Sequence, residues 1–118
     1  MLLATACTKT ENKTKEAETQ TPVFDSIKAA QLGADEYGMR TYIMAFLKRG
    51  SNTSLNATQR ADLQKAHLKN IKALSEAGKL ILAGPFLDTG AVRGIYIFAV
   101  PTIEEARKLT ETDPAIQA

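Results

Sequence analysis

The sequence holds one cysteine, one histidine and no tryptophan among 118 residues. A lone cysteine excludes an intrachain disulfide and a cysteine-built zinc site. A lone histidine excludes the clustered ligands of a zinc or non-haem iron centre. Charge of one sign is also lacking: 15 Lys and Arg face 13 Asp and Glu, for a formal net charge of +2, and the two signs are interspersed. That is no footprint for nucleic acid. Gly84, Gly90 and Gly94 stand too far apart to cradle a phosphate, and no helix follows them directly. The length suits one compact domain and falls short of a TIM barrel or a full dinucleotide-binding fold.

The chain opens on the small and apolar run Met1 to Cys7 and then changes abruptly. From Thr8 to Thr21 no large apolar side chain occurs, and Lys alternates with Glu among Thr, Asn and Gln. Such a segment has nothing to bury against the entropy of being ordered, and it reads as a solvated tether. Small apolar residues, then Cys7, then a polar tether resemble the end of a bacterial lipoprotein signal, in which the cysteine is lipidated. That reading implies a chain start upstream of Met1 and an envelope or periplasmic location. A plain tail with an incidental cysteine implies a cytoplasmic one.

Pro22 begins the folded part. Asp25 caps a short helix to Gln31 or Leu32 that stops at Gly33, so residues 22–38 form a helical arm. Met39 to Leu47 is the first strand, rich in aromatic and branched side chains. Asn56 and Gln59 have capping-box spacing and open a helix that runs to Gly78. Along it Leu63, His67, Ile71 and Leu74 share one face. Leu80 to Ala83 and Gly94 to Val100 form a second and third strand around a bend at Asp88-Thr89-Gly90. Thr102 and Glu105 form a second capping box for a helix to about Glu111, and Asp113-Pro114 starts one further turn. The order β-α-β-β-α over residues 39–118 is α+β and lacks only the last strand of a ferredoxin-like unit, so the domain is expected to be C-terminally incomplete.

Both faces of the strands are apolar. Tyr42, Met44 and Phe46 alternate with Ile43, Ala45 and Leu47, and Ile95, Ile97 and Ala99 with Tyr96, Phe98 and Val100. Two helices cover one face only, which predicts a homodimer joined through its sheet faces. In the competing arrangement the arm Val23–Leu32 folds back over the open face.

His67 interrupts an otherwise apolar stripe. A buried imidazole needs hydrogen-bond partners, and its environment can poise it for proton transfer near neutrality. Two readings stand, a satisfied core histidine and a functional one. Asp113 likewise has two: a helix cap before proline, or the carboxylate that orients His67. Phe86 in the loop after Gly84-Pro85 is placed to stack on a ligand, Arg93 to receive an anion, and Tyr42 to offer a pocket hydroxyl; each also has a packing explanation. Glu104 and Glu105 suit a helix first turn rather than a cation site.

The run HLKNIKALSEAGKLILAGPF, the glycine before IYIFAV and the segment TIEEARKLTETDPAIQA together resemble the YciI-like (YCII-related) domain family, of the dimeric α/β-barrel group. The resemblance covers roughly residues 39–118. It implies a sheet-and-helix protomer that pairs through its sheets, with His67 and Asp113 matching the family's active-site pair; one branch is similar to an enzyme that eliminates chloride from a chlorinated hydroxyhydroquinone. The expected function is a cofactor-independent enzyme of lyase, isomerase or hydrolase type acting on a small molecule. In it His67 is the general base and Asp113 orients it. The alternatives are a dimeric module that binds a small molecule without turnover, and an envelope accessory protein.

Overall fold

A computed structural model describes residues 22–118 of the chain, and the tether with Cys7 lies outside the described residues. Helix α1 spans Ser26–Gln31, strand β1 Ile43–Lys48, helix α2 Ala57–Glu76, strand β2 Leu80–Pro85, strand β3 Val92–Phe98, helix α3 Ile103–Thr110 and helix α4 Pro114–Gln117. The strands form one antiparallel sheet in the order β1-β3-β2. Both β1 and β2 run antiparallel to the central β3, so β1-α2-β2 is a split crossover that leaves a slot for β3. The fold is α+β and ferredoxin-like in its β-α-β-β-α order.

Local chemistry sets the helix ends. Asn56 accepts from the Gln59 backbone N–H while the Gln59 side chain accepts from the Asn56 N–H, both at 2.9 Å, closing the capping box of α2. Its far end stops at Gly78, whose φ of +69° a side chain resists. The second capping box closes only by half. Thr102 accepts from the Glu105 N–H at 3.2 Å, but the Glu105 carboxylate turns to Lys79 Nζ at 2.8 Å and pins α3 to the start of β2.

Cross-strand register sorts the two sheet faces. Ile43 faces Phe98, Ala45 faces Tyr96 and Leu47 faces Gly94 on the inner side, where Leu80 also lies opposite Phe98. These side chains, with Val100 and Ala106, build the core against Ile71 and Leu74 of α2 and Leu109 of α3. On the outer side Met44 and Leu82 flank Ile97, and Phe46 faces Ile95. Among the described residues no helix covers them: Met44 is 51% exposed and Phe46 61%. The arm does not cover them either, since its Ile27 is itself 73% exposed. The arrangement in which it folds over this face is therefore not adopted.

Strand β1 begins at Ile43 rather than Met39, because residues 39–42 turn back onto the arm. Asp35 Oδ1 accepts from the Tyr37 and Met39 N–H groups, Arg40 donates to the Leu32 carbonyl at 2.6 Å, and its guanidinium lies over the Tyr42 ring. Strand β2 extends through Gly84-Pro85, and β3 starts earlier than expected, at Val92. A side chain at Gly94 has no room: its Cβ would sit 2.7 Å from the Gly84 carbonyl oxygen.

Candidate functional site

Three elements bring three polar side chains together inside the apolar layer between sheet and helices. The stripe of α2 carries His67, the inner face of β3 carries Tyr96, and the N-cap of α4 carries Asp113. Asp113 is fully buried, and its two oxygens divide the work. Oδ1 accepts from the Ala115 N–H at 2.9 Å, capping α4. Oδ2 accepts from Tyr96 Oη at 2.5 Å and from His67 Nδ1 at 2.7 Å. The 3.4 Å between Oη and Nδ1 is the spacing of two donors converging on one oxygen.

A carboxylate only accepts, so the proton of a neutral His67 sits on Nδ1. Nε2 makes no hydrogen bond among the described residues, and the imidazole side chain stays 20% exposed. The ring lines a cavity of about 450 Å³. Leu47 of β1, Ala83, Gly84 and Pro85 of β2 and Arg93, Gly94 and Tyr96 of β3 form one wall. Gln64, Leu68 and Ile71 of α2 join His67 on the other. The site thus has a buried acid behind the ring and an open space in front of it.

Tyr96 was not among the residues the sequence singled out. The signal that finds it is a phenol on the inward set of a central strand: a buried hydroxyl must have a partner, and the carboxylate across the layer supplies it. Burial pushes the Tyr96 phenol well above its ordinary value, and the hydrogen bond to Asp113 and the charge of that carboxylate push it further the same way. The native state therefore holds the phenolic proton after an unfolded chain, with an ordinary value of about 10, has released it. Its contribution to stability is full below about pH 10 and is lost as pH rises beyond that. Tyr96→Phe is expected to cost about 1.5–3 kcal/mol at pH 7, the worth of a hydrogen bond to a charged acceptor. It is also expected to flatten the alkaline decline in stability seen in the parent protein. Urea unfolding of both proteins between pH 7 and 11 reads this, because lysine ionisation is common to the two and cancels.

The other expected pocket residues divide. Arg93 lines the cavity, with Nη1 donating to the Asp88 carbonyl at 2.8 Å. Tyr42 does not, because the turn that carries Arg40 over its ring precedes β1 and leaves it 42% exposed. Phe86 does not line it either: it lies past the end of β2 with its N–H donating to the Arg93 carbonyl, 41% exposed. Among the described residues no three His, Cys, Asp or Glu groups gather where a metal ion would fit, and no helix is long and apolar enough to cross a membrane.

Comparison with curated proteins and with solved structures gave no match. A family model does match, that of the YCII-related domain, over residues 39–118, the segment that contains the whole sheet, His67, Tyr96 and Asp113. The chain belongs to the YCII-related domain family.

Proposed function

We propose that the protein is an enzyme that moves a proton on a small molecule, with His67 as general base and then acid and Asp113 holding the ring. The observation that carries this is the division of the imidazole: Nδ1 is tied to a buried carboxylate, and Nε2 has no partner among the described residues in a ring that borders a cavity. Nε2 takes a proton from the bound molecule, and the positive ring that results is stabilised by Asp113 behind it. Returning the proton to another atom gives an isomerisation. Delivering it to a leaving group gives an elimination, and activating a water gives a hydrolysis. The base and the acid that orients it both come from this chain.

The test is proton exchange. In D₂O, a panel of 2-oxo acids and 1,3-dicarbonyl compounds is followed by NMR for deuterium incorporation or leaving-group release. The expected result is exchange of at least one compound that His67→Gln abolishes. A compound that binds at His67 and is recovered unchanged and undeuterated, with no turnover anywhere in the panel, supports a binding module instead.

The reading includes a dimer. Met44, Phe46, Ile81 and Leu82 leave an apolar outer face in water, and each large apolar side chain so placed forgoes about 1.5–3 kcal/mol of burial. A second copy presenting the same face removes that cost symmetrically and makes a two-sheet barrel with helices outside. Light scattering at micromolar concentration is expected to give a particle of two chains, and Phe46→Lys a particle of one. A single-chain particle from the parent protein overturns the dimer.

A further inference from the structure

Arg93 reaches the cavity through an irregularity in the sheet. Along β3, Gly94 and Tyr96 line the cavity, while Ile95 and Ile97 pair with outer residues of β1. Strict alternation would send Arg93 outward with Ile95. The pairing with β1 steps instead from Leu47 opposite Gly94 to Lys48 opposite Val92, so Arg93 is the extra residue of a bulge. A bulge redirects the side chain it carries, and Arg93 accordingly lines the cavity with His67.

The guanidinium is held and left hungry for an anion. Among the described residues its one hydrogen bond goes to the Asp88 carbonyl, which fixes it without neutralising it, and four of its five N–H groups have no partner there. No carboxylate lies within 4.0 Å of it among the described residues, where the ion pairs are His67–Asp113, Lys72–Glu76 and Lys79–Glu105. Asp113 is buried and spends both oxygens on its own donors. Apart from Gln64, His67 and Tyr96, the remaining side chains of the wall, such as Leu47, Ile71 and Pro85, are apolar. A cavity with one arginine in its lining and largely apolar sides suits a compact molecule bearing a single planar anion.

We infer that the cavity binds a small monocarboxylate, with Arg93 as the residue that selects it; this rests on reading the cavity as the proton-transfer site. A dianionic phosphate fits less well, since among the described residues Arg93 is the only Lys or Arg in the lining.

The experiment uses the single imidazole as reporter. Benzoate, its neutral counterpart benzamide, and inorganic phosphate are titrated into the full chain while the ¹⁵N and ring ¹H signals of His67 are followed. Benzoate is expected to shift them saturably and benzamide not, at equal concentrations. Arg93→Gln is expected to weaken benzoate about tenfold or more with an unchanged melting temperature, and Arg93→Lys, which keeps the charge and loses the fork, to weaken it less. Equal binding of benzamide, unchanged benzoate binding in Arg93→Gln, tighter binding of phosphate, or no saturable shift by benzoate overturns the inference. Benzoate has no acidic C–H, so its binding is independent of catalysis. Intact benzoate binding without proton exchange on any panel compound sinks the enzyme reading and leaves the carboxylate site standing.

Discussion

His67→Gln is expected to lower kcat/KM by about 10²–10⁴-fold, the usual worth of a positioned general base. The size follows from the absence of a substitute in the cavity. Arg93 presents donors and no acceptor, the Gln64 amide is no base, and the Tyr96 phenol is pushed upward by burial and by Asp113, so it keeps its proton across the physiological range. Among the described residues of the lining, only the imidazole offers a ring nitrogen lone pair that can take up a proton and then return it. Glutamine retains an N–H able to reach Asp113 and so keeps the carboxylate partnered, which separates lost chemistry from lost fold. The measurement is turnover of whichever panel compound exchanges, read beside a thermal melt. Parent-like turnover from a folded His67→Gln protein removes His67 from the mechanism.

The largest effect on stability is expected at Asp113. Alanine there strips the acceptor from Tyr96 Oη and His67 Nδ1 and the cap from α4, all at a fully buried position. Breaking a buried, charged network by removing its centre costs about 3–5 kcal/mol, a large part of the 5–15 kcal/mol typical of a domain. Urea unfolding should show a stability loss of that size, read as a lower midpoint with little change in slope.

Asparagine at the same position is the subtler probe. Its amide must point its NH₂ either at the Ala115 N–H or at His67 and Tyr96. A backbone N–H cannot become an acceptor, whereas a phenol can reverse and an imidazole can change tautomer, so the NH₂ is expected to face the ring. The neutral His67 proton then moves to Nε2, where it blocks the lone pair the reaction needs. Because His67 is the only histidine, its two ¹⁵N resonances report this directly. In the parent protein the bare nitrogen should be Nε2, and in Asp113→Asn it should be Nδ1. Activity is expected to fall about as far as in His67→Gln. An unchanged tautomer in a folded Asp113→Asn protein rules out Asp113 as the orienting group.

These residues also show why some of the protein was legible in one dimension. The Asn56–Gln59 box, the stop at Gly78, the stripe that contains His67 and the Asp113-Pro114 turn are set by contacts three or four positions apart, and spacing alone reveals them. The start of β1 at Ile43 was not visible, because it depends on Arg40 reaching back eight positions to Leu32. Nor was the partner of Glu105, whose capping role looked complete until Lys79 arrived from another element.

The candidate site divides in the same way. An imidazole in an apolar stripe and a carboxylate before proline were conspicuous because each carries a desolvation cost that something must offset. Nothing in their spacing of 46 positions says that they meet, that Tyr96 rather than Tyr42 supplies the hydroxyl, or that a bulge brings Arg93 to their cavity. Helix caps, strand periodicity and the order of elements follow from chain neighbours, whose separation is held by covalent geometry. The meeting of His67, Tyr96 and Asp113 follows from how β3 slots between β1 and β2 beneath α2, which is decided by burying the core as a whole.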